Sequence, residues 1–172
     1  MQIDLKNIKT NKGLSLYEIS QGQPLMVVFL RNFGCVFCRE ALHDISDLKP
    51  EMKKLNINLV FVHMSDEETA NSFFNKYGLP DVKQISDPTC DLYGRFGLSK
   101  GNFSQLLGLK TWVRGFEANL KGIPYSLKKL GDSLQMPGIF LICDGVIRGS
   151  YIHKRASDRP NYLELFNCCV TV

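Results

Sequence analysis

The sequence predicts a single α/β domain built on a partly parallel sheet, and three observations predict it. Short apolar runs alternate with helical periodicities from residue 25 to residue 97, the strand–helix–strand order of βαβ units. Two further strand-like runs flank Asp144-Gly145, a pair suited to the tight turn of a hairpin. The chain has 172 residues, 44% hydrophobic and 22% charged, which are ordinary values for one globular domain and exclude global disorder.

The elements follow in order. Residues 1–13 are a lead-in with a weak strand expected at Ile3–Leu5. Ser15 and Glu18 form a Ser-x-x-Glu capping box that opens a short helix over Ser15–Ser20. Gln21-Gly22-Gln23-Pro24 ends it, and Leu25–Leu30 is short and continuously apolar, as a strand buried on both faces would be. Cys38, Ala41, Leu42, Ile45, Leu48, Met52 and Leu55 recur in steps of three and four, the spacing of one helix face. Pro50 must interrupt that helix, because it lacks an N–H and crowds the preceding turn.

A second buried strand is expected at Ile57–His63. Asp66-Glu67-Glu68 then starts a helix whose apolar face is Ala70, Phe73, Phe74 and Tyr77 and which Gly78 ends. Lys83–Ser86 follows as a short strand and Thr89–Phe96 as a short helix closed by Gly97. Residues 99–135 break the rhythm with five glycines and the only Trp, and are expected to form an insertion with helices near 103–107 and 113–119. The hairpin strands are expected at Ile139–Cys143 and Val146–Ile152, and a last helix at Tyr162–Phe166.

Composition narrows the function. Lys and Arg number 21 against 17 Asp and Glu, a formal charge of +4. No basic block exceeds three residues, so neither nucleic acid nor a membrane surface is an expected partner. The longest apolar run, Leu25–Leu30, is far short of the ~20 residues that span a bilayer. No secretory-type apolar segment opens the sequence, so a cytoplasmic location is expected.

Six cysteines are present. Cys143, in Ile139-Phe-Leu-Ile-Cys143, is expected to be a buried small hydrophobe, and Cys90 inert packing at a helix start. Cys168 and Cys169 are adjacent, and neighbouring side chains point in different directions, so one is expected buried and the other exposed. A resolving thiol is the alternative for this pair.

The chemistry lies in Cys35-Val36-Phe37-Cys38, which follows the strand Leu25–Leu30 and opens a helix. Unpaired N–H groups and the dipole at a helix N-terminus stabilise a thiolate. A second thiol three residues on can close a small disulfide ring with the first. Arg31 and Arg39 flank the pair and would lower the pKa further. One turn into the helix, Cys38 should face inward and Cys35 stay more exposed. A half zinc site is the competing reading. It needs four ligands, and His43, His63 and His153 stand at no ligand spacing. Neither a metal nor another cofactor is expected. His63, at a strand end, is expected to be a satisfied structural histidine.

With these residues in view, the sequence resembles the thioredoxin superfamily, in its AhpC/TSA-like, peroxiredoxin-like branch. Three stretches carry the resemblance: the strand with Gly34-Cys35-Val36-Phe37-Cys38; Ser86-Asp87-Pro88 with Leu92-Tyr93-Gly94-Arg95-Phe96-Gly97-Leu98; and Met136-Pro137-Gly138 before the hairpin. The resemblance implies a thioredoxin-like fold, a central mixed sheet flanked by helices. It also implies catalytic Cys35 and Cys38, supported by Pro137, Arg31 and Arg39, and a cis peptide at Met136–Pro137. The reaction implied is thiol–disulfide exchange, with a disulfide substrate and a reducing thiol partner. The alternative is a thiol-dependent, antioxidant peroxidase acting on peroxide. A non-catalytic thioredoxin-fold binding module is a third possibility.

Departures from both families matter. In the peroxiredoxin pattern laid on Cys38, proline is replaced by Arg31 and Thr/Ser by Cys35, and the second arginine falls near Pro137. In the thioredoxin pattern, the buried carboxylate six residues before the first cysteine is replaced by Phe29.

Overall fold

The computed structural model describes residues 3–101 and 132–170, with side chains through Asn167. Its centre is β1 (Leu25–Phe29), buried along its whole length. β2 (Asn58–His63) and β3 (Lys83–Ser86) continue the sheet from one side in parallel. β4 (Gly138–Cys143) and β5 (Val146–Ile152) continue it from the other, antiparallel, in the order β3-β2-β1-β4-β5. The sheet is therefore mixed and five-stranded, as expected from the βαβ rhythm and the hairpin.

Alternation along β1 feeds two cores. Met26 and Val28 join Leu42, Ile45, Phe61, Phe74, Ile139 and Phe166 on one face. That face is covered by α2 (Val36–Asp47), α3 (Lys49–Lys54), α4 (Glu67–Lys76) and α6 (Tyr162–Val170). Leu25, Val27 and Phe29 join Leu16, Val62, Tyr93, Phe96 and Phe140 on the other. The cover there is α1 (Leu16–Ile19), α5 (Asp91–Arg95) and the lead-in. Pro50 sits in the first turn of α3, where its missing N–H has no intrahelical partner to lose.

Local chemistry explains most boundaries. Ser15 Oγ accepts from the Glu18 amide at 3.1 Å, and the Glu18 carboxylate accepts from the Ser15 amide at 2.8 Å, completing the capping box. The strand expected at Ile3–Leu5 is instead a 3-10 turn at Leu5–Asn7. The Asp4 carboxylate accepts from the Lys6 amide and the Asn7 side chain, a local bond that competes with extension. At α5 the cap comes from Asp87, whose carboxylate accepts from the amides of Asp91, Leu92 and Tyr93, while Cys90 stands at φ 62°. Cys143, expected as a buried core thiol, is half-buried because it ends β4 at the hairpin instead of lying mid-sheet, and it is disulfide-bonded. The helices expected near 103–107 and 113–119, and Trp112, lie outside the described residues. The bridge Lys100↔Gln135 joins the two flanks of that segment.

The Asp144-Gly145 turn holds both residues at positive φ, 51° and 76°. A Cβ on Gly145 would meet the Tyr17 ring at 2.7 Å. Gly145→Ala is therefore expected to cost about 1–2 kcal/mol from backbone strain alone. Urea unfolding of the two proteins measures it, with the midpoint lowered and the m-value unchanged.

Candidate active site

β1 delivers the chain to the site at a pinned point. The Leu30 amide donates to Val62 O at 2.9 Å, and the buried Tyr93 hydroxyl donates to Leu30 O at 2.5 Å and lies 3.2 Å from Val62 O. The loop then tightens as the Cys35 amide donates to Asn32 O at 3.2 Å. Cys35 is the N-cap of α2 in extended backbone. Cys35 is half-buried and Cys38 is 4% exposed, and both are free thiols. The inward turn of the second cysteine follows from helix geometry, as expected from the sequence.

The two thiols are electrostatically unequal. Cys35 is pulled down to about 6, first by the Cys38 thiol donating to its sulfur, then by the Arg31 charge and the amides of Cys38 and Phe37. Burial opposes this and loses. Cys38 is pushed well above the ordinary thiol range by that same bond to Cys35, by burial and by the Cys35 charge. The pair therefore holds one charge, on Cys35, and one proton, on Cys38.

Arg31 and Arg39 part company. Arg31 Nη1 lies 3.4 Å from Cys35 Sγ, and its Nε donates to Ser133 O at 2.7 Å. Arg39 is buried, donates from Nε to Phe33 O at 2.7 Å and lies over the Phe73 ring at 5.4 Å. It braces the loop from behind, a helical position facing away from the thiols. Pro137 lines the same pocket as Cys35 and Cys38. The cis peptide expected before it is absent: Met136–Pro137 is trans, as are all described peptides. The segment runs extended there, with the Met136 amide on Ser99 O at 3.2 Å, and a trans bond is the ordinary preference before proline.

A small pocket open to solvent lies beside the thiols. Phe37, Ala41, Ile139 and Pro137 supply apolar walls, and Glu40, Asp44, His153, Asp158 and Arg159 the polar ones. Arg159 clamps Asp44, with Nε donating to Oδ2 at 2.7 Å, and reaches Glu40 Oε1 at 3.7 Å. Burial holds His153 down to about 4, so it is neutral at pH 7. Sequence reading missed these residues. Glu40 and Asp44, four apart on one helix face, were a local signal, but Arg159 is 115 positions from Asp44 and no local pattern joins them. His63 is 1% exposed, bonds Gln84 Oε1 at 2.7 Å and stays outside this pocket, in keeping with a structural histidine. Among the described residues no cluster of His, Cys, Asp and Glu could hold a metal ion, and no helix is long and apolar enough to cross a membrane.

A direct check of this electrostatics is the pH profile of iodoacetamide alkylation, read by peptide mapping. Cys35 should label first, its rate rising tenfold per pH unit below about 6 and levelling above, while Cys38 stays unlabelled in the native protein.

Comparison with known proteins places the geometry in context. The AhpC/TSA family model matches residues 2–150. The chain is 26% identical over 167 residues to prostamide/prostaglandin F synthase of Danio rerio, covering 94% of this chain and 81% of that protein. It is 28% identical over 169 residues to peroxiredoxin-like 2A of Mus musculus, covering 95% and 74%. Among solved structures it is similar to peroxidoxin BcpB from Mycobacterium tuberculosis, with TM-score 0.61, 16% identity and coverage of 96% and 91%. It is also similar to a yeast mitochondrial 1-Cys peroxiredoxin, with TM-score 0.63, 14% identity and coverage of 96% and 72%. The mixed five-stranded sheet flanked by helices is thus the thioredoxin-like fold of peroxiredoxins.

Proposed function

The chain belongs to the AhpC/TSA family, and from that premise we propose that it is a dithiol oxidoreductase in which Cys35 attacks a disulfide and Cys38 resolves it. At the coarser level the protein is a thiol-dependent oxidoreductase or peroxidase. The finer reading is carried by one observation, a lowered Cys35 thiol at a helix N-terminus with a protonated Cys38 donating to it inside one pocket.

The steps balance in atoms and electrons. The Cys35 thiolate attacks one sulfur of the substrate disulfide, and the other sulfur leaves as a thiolate. The mixed disulfide no longer carries a charge on Cys35, so the two Cys35 effects that hold the Cys38 proton on vanish together. What remains in favour of a Cys38 thiolate is the Asn32 main-chain amide and the Arg31 charge. Cys38 loses its proton to water or to the departing thiolate, attacks Cys35 Sγ and releases the second substrate thiol. Two electrons have passed to the substrate, and the Cys35–Cys38 disulfide awaits an external thiol reductant. The yeast neighbour, whose resolving mechanism runs through glutathione/thioredoxin systems, supports that class of partner.

Peroxide is the second reading, and Arg31 favours it. A guanidinium 3.4 Å from the attacking sulfur is a donor placed where a leaving oxygen develops charge. There the Cys35 thiolate takes the terminal oxygen and becomes a sulfenic acid, the alkoxide or hydroxide leaves, and Cys38 condenses with loss of water. The apolar pocket walls and the prostamide/prostaglandin F synthase relatives support a lipid-derived substrate in that case.

Mixing reduced protein with insulin or a small aromatic disulfide, and separately with H₂O₂, decides the matter. The expected result is ready disulfide exchange, with a peroxide rate near that of an ordinary activated thiolate. A peroxide rate constant far above a free thiolate's, with slow disulfide exchange, would overturn it for the second reading.

A further inference from the structure

Arg31 meets the Cys35 sulfur through a long, flexible side chain, which by itself samples many rotamers and would dwell on the sulfur only part of the time. Its other contact explains why it stays: Nε donates to Ser133 O at 2.7 Å, so one end of the guanidinium is anchored on main chain. That carbonyl belongs to the segment 132–136, and the segment is itself held. The Met136 amide donates to Ser99 O at 3.2 Å, and the Gly101 amide to Leu134 O at 2.7 Å. Asp132 caps the Leu134 amide at 2.8 Å and pairs with Lys100 at 2.8 Å.

Gln135 lies in the middle of this ribbon and is 2% exposed. A buried side-chain amide is costly unless its donors are satisfied, and here they are. Gln135 Nε2 lies 2.9 Å from Leu98 O, 3.3 Å from Ser99 O and 3.3 Å from Met136 O, three carbonyls from the two strands of the ribbon. An apolar side chain of the same size would fill the space without joining the strands. We propose that Gln135 is a positioning residue of the redox site: by tying 132–136 to 98–101 it fixes the Ser133 carbonyl, which aims Arg31 at the Cys35 sulfur. The inference rests on the reading of Cys35 as the attacking thiol. The other charged or titratable groups around the thiols are Cys38 on α2 and Glu40, Asp44, His153, Asp158, Arg159 and Tyr162 around the pocket.

The test is the alkylation rate of Cys35 at pH 6, measured by peptide mapping on the full chain for wild type, Gln135→Met, Arg31→Gln and the double variant. Arg31→Gln removes a charge-assisted bond and is expected to slow labelling about tenfold. Gln135→Met should slow it about three- to tenfold, with the plateau of the pH profile moved upward, and should add nothing in the Arg31→Gln background. An unchanged rate in Gln135→Met, an unchanged rate in Arg31→Gln, or equal losses in both backgrounds would overturn the proposal. Should Gln135→Met fail to fold, the shorter Gln135→Asn, which draws the amide back from the Leu98, Ser99 and Met136 carbonyls, takes its place. A loss there that disappears with Arg31→Gln supports the relay, and no loss overturns it. Alkylation needs no substrate, so a failed disulfide-exchange assay and a failed relay remain distinguishable.

Discussion

Cys35→Ser is expected to bring disulfide exchange down to the rate of a protein-free blank, while Cys38→Ser completes the first attack and stops at a mixed disulfide. The asymmetry comes from the one charge that the pair shares. With the Cys35 thiol at about 6, the thiolate outnumbers the thiol about ten to one at pH 7. Cys38, raised by burial and by its bond to Cys35, supplies almost no thiolate in the resting protein. Serine at 38 keeps an O–H to donate to the Cys35 sulfur, so the nucleophile should stay activated; alanine there removes the donor and should slow the first step. Intact-mass analysis after one equivalent of substrate disulfide reads the outcome: a stoichiometric adduct in Cys38→Ser, none in Cys35→Ser. The opposite pattern would transfer the attacking role to Cys38, the position that aligns with the peroxidatic cysteine of peroxiredoxins.

The largest expected loss of stability is from Phe29→Ala. Phe29 is 1% exposed and packs edge-on to Tyr93 and Phe140, with ring centroids 5.0 and 5.6 Å away, and tilted against Phe96 at 4.8 Å. Removing the ring opens a cavity where β1, β4 and α5 meet. Such truncations cost about 3–5 kcal/mol. At roughly 2–4 °C per kcal/mol for a domain of this size, the midpoint should fall by on the order of 10 °C. Circular dichroism melts of the reduced proteins measure it, and a fall under about 2 °C would mean the aromatic cluster carries little. The loss should reach the thiols as well, because Tyr93 anchors Leu30, the residue that leads into Arg31 and the loop.

Local signals in the sequence accounted for the strands, the hairpin and the dithiol. A short continuous apolar run bounded by turn residues suits a strand covered on both faces, and β1 is that strand. The Asp144-Gly145 pair suits a turn that needs two positive φ angles, and it has them. The C-x-x-C after a buried strand placed one thiol at a helix N-terminus and the other one turn inside. Each of these depends on neighbours a few residues away, which is why a sequence can display it. The misplaced features depended on competition. Asp4 offered the lead-in a cap in place of a strand, and the ribbon 98–101/134–136 holds Met136–Pro137 extended and trans.

What the sequence by itself determined is the order of the strands and helices from β1 onward and the placing of two thiols one helical turn apart at the start of α2, because periodicity, turn chemistry and motif spacing act over short range. The tertiary structure decided which cation serves them. Arg31 and Arg39 both flank the motif in the sequence, four residues before Cys35 and one after Cys38. Helix geometry turns Arg39 onto Phe33 O and the Phe73 ring, and a carbonyl 102 positions away draws Arg31 onto the sulfur. The pocket was decided at the same level, since Pro137, His153 and Arg159 reach the thiols only when β4 pairs with β1 and the segment after β5 packs on α2. Long-range pairing is a property of the closed core, and the chain carries no local mark of it.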